Sequence, residues 1–285
     1  MNNTNTEGEG FSSIDYVHQC LLDNDKAEAF EAAIKELIKP SSNILELGTG
    51  TGILSLIASR AGGNKITAIE FDPFIADVAR QNIENNHQEH KIKVVTADAR
   101  NIKFINNEKF DLVLMEMLCT ALIEEMQVQA INNLHSQHII SAETMVIPFA
   151  QENYIELAHT DFMNHGFEMK MIKYYWAGQT EFNVTRFTNI ELLNRVDFSK
   201  PIHEEFSANI QLTAQQSGTI NSVLLSSKVI VDKKESIILG STFSLNPIIA
   251  IPFPERQVKE GDRISIHISY LFGGGFRNLH IRPVD

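Results

Sequence analysis

The chain reads as an α/β domain with a parallel sheet, followed by a mostly antiparallel β domain. Three observations carry this. Short apolar strands alternate with amphipathic helices as far as Pro148; helical periodicity fades after it; and a glycine-rich turn joins the first strand to a helix. Alternating strands and helices imply βαβ units, right-handed crossovers and helices on both faces of the sheet.

The elements follow in order. Residues 1–12 are rich in Asn, Thr, Gly and Glu and are expected to be disordered. Residues 24–38 carry Ala29, Phe30, Ala33, Ile34 and Leu37 on one helical face, and Pro40 ends the helix. Strands are expected at 43–47, 65–70, 91–96, 110–115 and 143–147, and helices at 54–61, 73–85 and 122–134. Beyond Pro148, residues 222–231, 237–243 and 263–270 are β-rich, with turns at Lys233-Lys234 and Glu260-Gly261-Asp262. The expected division is therefore a first domain over 13–148 and a second over 149–285.

Composition bounds the function. Hydrophobic residues make up 43% of the 285, enough for a core without disulfides, and Cys20 and Cys119 have neither metal-ligand spacing nor a framework. The ten histidines include no H-x-x-x-H pair, so no metal is expected. A net charge of -12 repels phosphates. That argues against nucleic acid and membrane partners and suits a cationic or amine-bearing substrate. The first residues show no apolar signal segment, and no apolar run reaches membrane-span length, so a cytoplasmic location is expected.

Glu46-Leu47-Gly48-Thr49-Gly50-Thr51-Gly52 follows a strand and opens a helix. Glycines at alternate positions allow a sharp turn and close approach of backbone to ligand at the carboxyl edge of the sheet. Glu70 ends the next strand, where a carboxylate takes both hydroxyls of a ribose. A dinucleotide fingerprint counted from Gly48 would need a third glycine at the position held by Ile53. Glu46 beside the loop would repel a pyrophosphate, yet it suits the ammonium and sulfonium of S-adenosylmethionine. The expected cofactor is therefore S-adenosylmethionine, without a metal. Thr49, Gly50, Gly52, Ile53 and Leu54 shape the turn, and Asp98 and Ala99, after the third strand, are expected to meet the adenine.

The fourth strand ends at Glu116, and Glu125 follows nine residues later. Two carboxylates converging on one pocket match the planar donors of a guanidinium and aim one nitrogen at a methyl group. Glu125 alone would equally serve as a solvated charge in the first turn of a helix.

In this order the motifs resemble the protein arginine methyltransferase family, most clearly over 16–148. Residues 46–54 (ELGTGTGIL) resemble its donor-binding turn, Ala68-Ile69-Glu70 its ribose-binding acid, and residues 116–125 its double-glutamate loop. Ile147-Pro148 resembles its junction between a Rossmann-like domain and a β-barrel. The resemblance implies Glu116 and Glu125 as catalytic residues, with Glu116 also beside the donor. It puts Lys26 where the family has a donor-carboxylate arginine, and Cys20 where it has a methionine. It also implies a homodimer built through an arm, which residues 160–200 would hold with Phe162, Tyr174, Tyr175 and Trp176 exposed; the same four aromatics serve equally as core of the β domain. The chain departs from the family at Met117, Cys119 and Thr120, where a tryptophan and a glycine-aromatic pair are expected. It departs again at Asn246-Pro247-Ile248, where a Thr-His-Trp loop is expected. The expectation is an S-adenosylmethionine-dependent methyltransferase acting on a guanidine or amine. Two alternatives stay open: an O- or C-methyltransferase with one glutamate as base, and a donor-binding scaffold.

Overall fold

The structure is a computed structural model, and it describes residues 13–104, 108–179 and 183–284. The expected disordered segment 1–12 lies outside the described residues.

Helices α1 (Ile14–Leu22) and α2 (Asn24–Leu37) meet at Asp23. Strands β1 (Asn43–Leu47), β2 (Lys65–Glu70), β3 (Ile92–Thr96), β4 (Leu112–Met115) and β5 (Met145–Ile147) form one parallel sheet in the order β3-β2-β1-β4-β5. Helices α3 (Ile53–Arg60), α4 (Pro73–Asn85) and α5 (Gln127–Ser136) complete this half. Apolar residues drive it: Phe30, Ala33 and Ile34 of α2 and the whole of β4 are buried. α4 begins cleanly because the Asp72 carboxylate accepts from Phe74 and Ile75 N–H, with Pro73 in the first turn. Strand order reverses between β1 and β4, where Leu47 lies opposite Met115. Connections diverge at such a point and leave a crevice at the carboxyl ends of the strands.

The helix expected over 122–134 starts later, at Gln127. Residues Thr120–Leu122 form a 3-10 turn instead, with Ala121 at φ 56° and Leu122 at φ 54°. Left-handed backbone at two consecutive non-glycine residues blocks an α-helix there.

The remainder is antiparallel. It comprises β6 (Ala150–Thr160), β7 (Met163–Asn164), β8 (Phe167–Glu168), β9 (Lys173–Tyr175), β10 (Val184–Arg186), β11 (Glu191–Asp197), β12 (Glu205–Thr213), β13 (Gly218–Ile230), β14 (Ile238–Leu239), β15 (Ile248–Val258), β16 (Arg263–Leu271) and β17 (His280–Val284). A seven-stranded sheet runs β10-β6-β13-β15-β9, with β11 on β6 and β14 on β13; a second sheet runs β12-β16-β17. The expected barrel does not close. Closure needs every edge strand paired, and only the isolated bridge Thr188–Ala214 links strand-like segments outside these ladders among the described residues. One apolar core nevertheless runs through both halves, from Ile44 and Leu114 to Val223 and Ile266. No helix among the described residues is long and apolar enough to cross a membrane.

One further expectation is corrected. The strand expected over 237–243 shrinks to two residues, because the loop beyond it turns inward onto Asp23. The described residues of 160–200 form the β7–β8 hairpin and sheet strands; Phe162 and Tyr175 are buried as core, while Tyr174 is exposed and Trp176 half-buried.

Asp23 joins the two halves. Its carboxylate accepts from Lys26 N–H, capping α2, and from Thr242 Oγ1, Ser244 N–H and Ser244 Oγ of the inward loop. Burial raises the carboxyl's pKa, but these donors outweigh it and hold the group below its usual range. A depressed carboxyl contributes stability at neutral pH that is lost as pH falls through its folded value. Asp23→Ala is expected to cost roughly 2–4 kcal/mol, from the lost cap and the stranded donors. Denaturant unfolding at neutral pH measures this, and a loss below about 1 kcal/mol, the size of a single cap, would contradict the role.

Candidate active site

The glycine turn between β1 and α3 is fixed from two sides. Thr49 N–H donates to the Ile69 carbonyl at 2.9 Å, tying the turn to β2. Gly48 sits at φ +70°, and a Cβ there would lie 2.8 Å from Met117 Cγ, so the residue after Glu116 packs directly on the turn. Gly52, at φ +85°, caps α3. These positions demand glycine for backbone conformation or close approach.

Three carboxylates surround the turn. Glu70 is buried. It accepts from Gly50 N–H at 2.9 Å on Oε2 and from Asp72 N–H at 3.0 Å on Oε1. Each oxygen keeps a lone pair for a ligand hydroxyl. Burial raises its carboxyl, partly offset by those backbone donors. Glu46 is also buried and accepts from Thr49 Oγ1 at 2.7 Å and from Ser55 Oγ. Burial pushes its carboxyl up to about 7 against those hydroxyls, with Glu70 adding repulsion. Asp98 is placed in the cleft wall after β3, but both its oxygens are already engaged. Arg100 holds them through Nε at 2.9 and 3.0 Å and Nη2 at 2.8 Å, and Asn101 adds a bond at 3.1 Å. An adenine amino group would share that carboxylate with Arg100.

At the other end lies the carboxylate pair. Lys26 Nζ is buried 2.6 Å from Glu116 Oε2. Burial opposes its charge, but Glu116 outweighs burial and raises the ammonium's pKa. Glu125 is buried and accepts from Tyr16 Oη at 3.2 Å. Burial and then Glu116 push its carboxyl well above the usual range, against Lys26 and Tyr16. The first-turn reading of Glu125 is thereby corrected: the residue precedes α5 and is not solvated.

The loop bearing the pair is braced from all sides. Cys119 Sγ accepts from Glu124 and Glu125 N–H at 3.2 and 3.3 Å. Met117 N–H donates to Gln127 Oε1 at 2.9 Å. From the β half, Gln151 Nε2 reaches the Cys119 carbonyl at 2.9 Å, Ser227 Oγ accepts from Ala121 N–H at 2.9 Å, and Thr120 Oγ1 donates to the Pro247 carbonyl at 2.5 Å. Asn246 beside Pro247 is buried, with both amide atoms unpaired.

One cleft collects these groups. Lys26, Glu46, Gly48, Thr49, Gly50, Ile53, Leu54, Glu70, Asp98, Ala99, Glu116 and Glu125 all line it. Gly52 does not. Tyr16, Arg100 and Met126 line it too and went unnoticed in the sequence. Tyr16 lies 109 positions from its partner, and no local pattern signals so distant a contact. Among the described residues no group of three or more potential ligands is placed to hold a metal.

Comparisons with known proteins agree with this geometry. A model of the ribosomal protein L11 methyltransferase (PrmA) family matches residues 30–156. The uncharacterized protein MJ1452 of Methanocaldococcus jannaschii is 31% identical over 264 residues, 93% of this chain and 95% of that protein. The ribosomal protein L11 methyltransferase of Staphylococcus epidermidis is 34% identical over 102 residues, 36% of this chain and 31% of that enzyme. In fold, the chain resembles the Trypanosoma brucei PRMT1 enzyme–prozyme heterotetrameric complex with AdoHcy. The TM-score is 0.74 at 16% identity, over 97% of this chain and 98% of that one. The chain belongs to the family of the Methanocaldococcus jannaschii protein, and it is an S-adenosylmethionine-dependent methyltransferase.

Two predictions concern the donor. Glu70→Ala is expected to weaken S-adenosylhomocysteine binding by roughly 1–3 kcal/mol, the cost of unpaired ligand hydroxyls; calorimetry giving wild-type affinity would reduce Glu70 to a strand-end charge. Glu46 must be ionised to receive an ammonium. Affinity should therefore fall as pH drops through about 7, approaching a tenfold loss per pH unit. Glu46→Gln should flatten that dependence, and an unchanged slope would exclude Glu46 as the titrating group.

Proposed function

We propose that this methyltransferase acts on a nitrogen of a cationic guanidine or amine held between Glu116 and Glu125. The supporting observation is that one braced loop presents both carboxylates to the donor cleft, each with a partner that orients it: Lys26 for Glu116 and Tyr16 for Glu125. The resemblance of residues 116–125 to the double-glutamate loop of the arginine methyltransferase family supports nitrogen as the acceptor.

In this reading Lys26 would hold the donor's carboxylate, Glu46 its ammonium and Glu70 its ribose, while Asp98, shared with Arg100, and Ala99 would meet its adenine. S-adenosylmethionine supplies a methyl group made electrophilic by the sulfonium. The chain's own residues then aim the acceptor and hold its charge. A planar guanidinium between two carboxylates has little freedom to rotate, which converts binding into orientation. With the cation beside it Glu125 is ionised, and because burial raises its carboxyl the carboxylate is basic enough to receive the proton the nitrogen loses.

Lys26 sets the electrostatics. Paired with Glu116, it neutralises one of the two carboxylates, and a cationic acceptor must compete with it. A donor carboxylate draws on the same ammonium, so donor and cation are expected to bind cooperatively. A second reading follows from this pairing. If Lys26 keeps Glu116, Glu125 remains as a single base, and an O- or C-methyltransferase results.

The test is mass spectrometry of products formed from labelled donor with guanidine compounds, amines and arginine-rich peptides. Methyl on nitrogen supports the proposal; methyl only on oxygen or carbon moves the second reading ahead. With an accepted substrate, Glu116→Gln and Glu125→Gln are each expected to lower single-turnover rate by roughly 10²–10⁴. The double change should cost little more, because the pair acts as a unit. Near-normal turnover in Glu125→Gln would overturn the paired mechanism.

A further inference from the structure

Next in sequence to Glu125 lies a cluster of one carboxylate and three aromatic rings, and we propose that Glu124, Tyr174, Trp176 and Phe276 form a subsite for a second cationic group of the same substrate. The inference rests on the preceding reading of Glu116 and Glu125 and adds that the preferred acceptor is at least dicationic.

Three chain segments build the cluster. Tyr174 and Trp176 are two residues apart at the end of β9, so they project to one side. Their rings lie nearly parallel, with centroids 6.4 Å apart and 12° between planes. The segment after β16 docks beneath the carboxylate loop, with Gly273 N–H on the Leu122 carbonyl at 2.9 Å and Gly275 N–H on the Ile123 carbonyl at 2.8 Å. This brings Phe276 edge-on to Tyr174, with centroids 6.2 Å apart at 87°. Tyr174 Oη in turn donates to Glu124 Oε2 at 3.2 Å.

The cluster carries one carboxylate. Glu124 is half-buried, yet among the described residues no lysine, arginine or histidine forms an ion pair with it. Burial raises its carboxyl, and only the Tyr174 hydroxyl offsets this. Aromatic faces carry negative potential and attract a guanidinium or ammonium. A neighbouring carboxylate adds a charged hydrogen-bond acceptor to the same cation. Tyr174 is 37% exposed, so its ring is reachable from solvent. The cluster's position fits a substrate extension, because Glu124 immediately precedes Glu125 and both N–H groups hang from one sulfur, Cys119 Sγ. One rigid turn thus sets two carboxylates at a fixed separation, one facing the donor cleft and one facing the rings.

The test is calorimetry on protein saturated with S-adenosylhomocysteine, with methylguanidinium, agmatine and the peptide Arg-Gly-Arg as probes. Both dicationic probes are expected to bind roughly five- to thirty-fold more tightly than methylguanidinium. Trp176→Ala and Glu124→Gln should each erase most of that advantage and leave methylguanidinium and S-adenosylhomocysteine affinities unchanged. Glu124→Gln keeps the shape of the side chain, so it reports on charge even if ring removal unfolds the segment. An advantage for only one dicationic probe identifies the source of the second charge and supports the subsite. Equal binding of all three probes, or variants that weaken all three alike, would overturn it while the carboxylate-pair reading stands. Failure of methylguanidinium itself to bind sinks that reading and this inference together.

Discussion

The buried contact between Lys26 and Glu116 is the interaction on which the site depends. It joins α2 to the end of β4, where strand order reverses and the crevice opens. A buried ion pair of this kind does little for net stability, because desolvation consumes most of the attraction, but losing either partner leaves an unpaired charge. Its value here is positional. It fixes the N-terminal helices against the sheet, so that Tyr16 of α1 arrives at Glu125 and the cleft is covered on that side. It also sets the local charge, since the one ammonium pairs with Glu116 and offsets part of the repulsion between Glu116 and Glu125.

Around that pair the two halves of the chain act as one unit. Asp23 receives the loop before β15, while the loop over 116–125 is held by Gln151, Ser227 and the Pro247 carbonyl. The carboxylates therefore inherit their positions from the antiparallel sheet as much as from β4. This explains how residues such as Ala121 and Leu122 keep left-handed backbone angles that cost energy in isolation. It also gives Cys119 a structural use: its sulfur takes two backbone N–H groups in a turn too tight to satisfy them otherwise. The family of the Methanocaldococcus jannaschii protein shares nearly the whole chain with this one. The likeness to L11 methyltransferases is confined to the first half and its junction, where the donor-binding turn lies.

The sequence determined the parallel sheet and the donor turn, because both are local. The alternation of strands and helices, the glycines at 48, 50 and 52, and the acid at the end of β2 are patterns of neighbours, and the backbone requirements behind them act over a few residues. Glu116 was legible for the same reason, as the first polar residue after an apolar strand. Only the tertiary structure decided the rest. Residues as far apart as Tyr16 and Glu125, Lys26 and Glu116, or Tyr174 and Glu124 meet through packing of separate elements, and no spacing along the chain encodes those contacts. The same cause shortened the strand expected over 237–243 and delayed the start of α5, since hydrogen bonds to distant partners outweighed local propensity at each point.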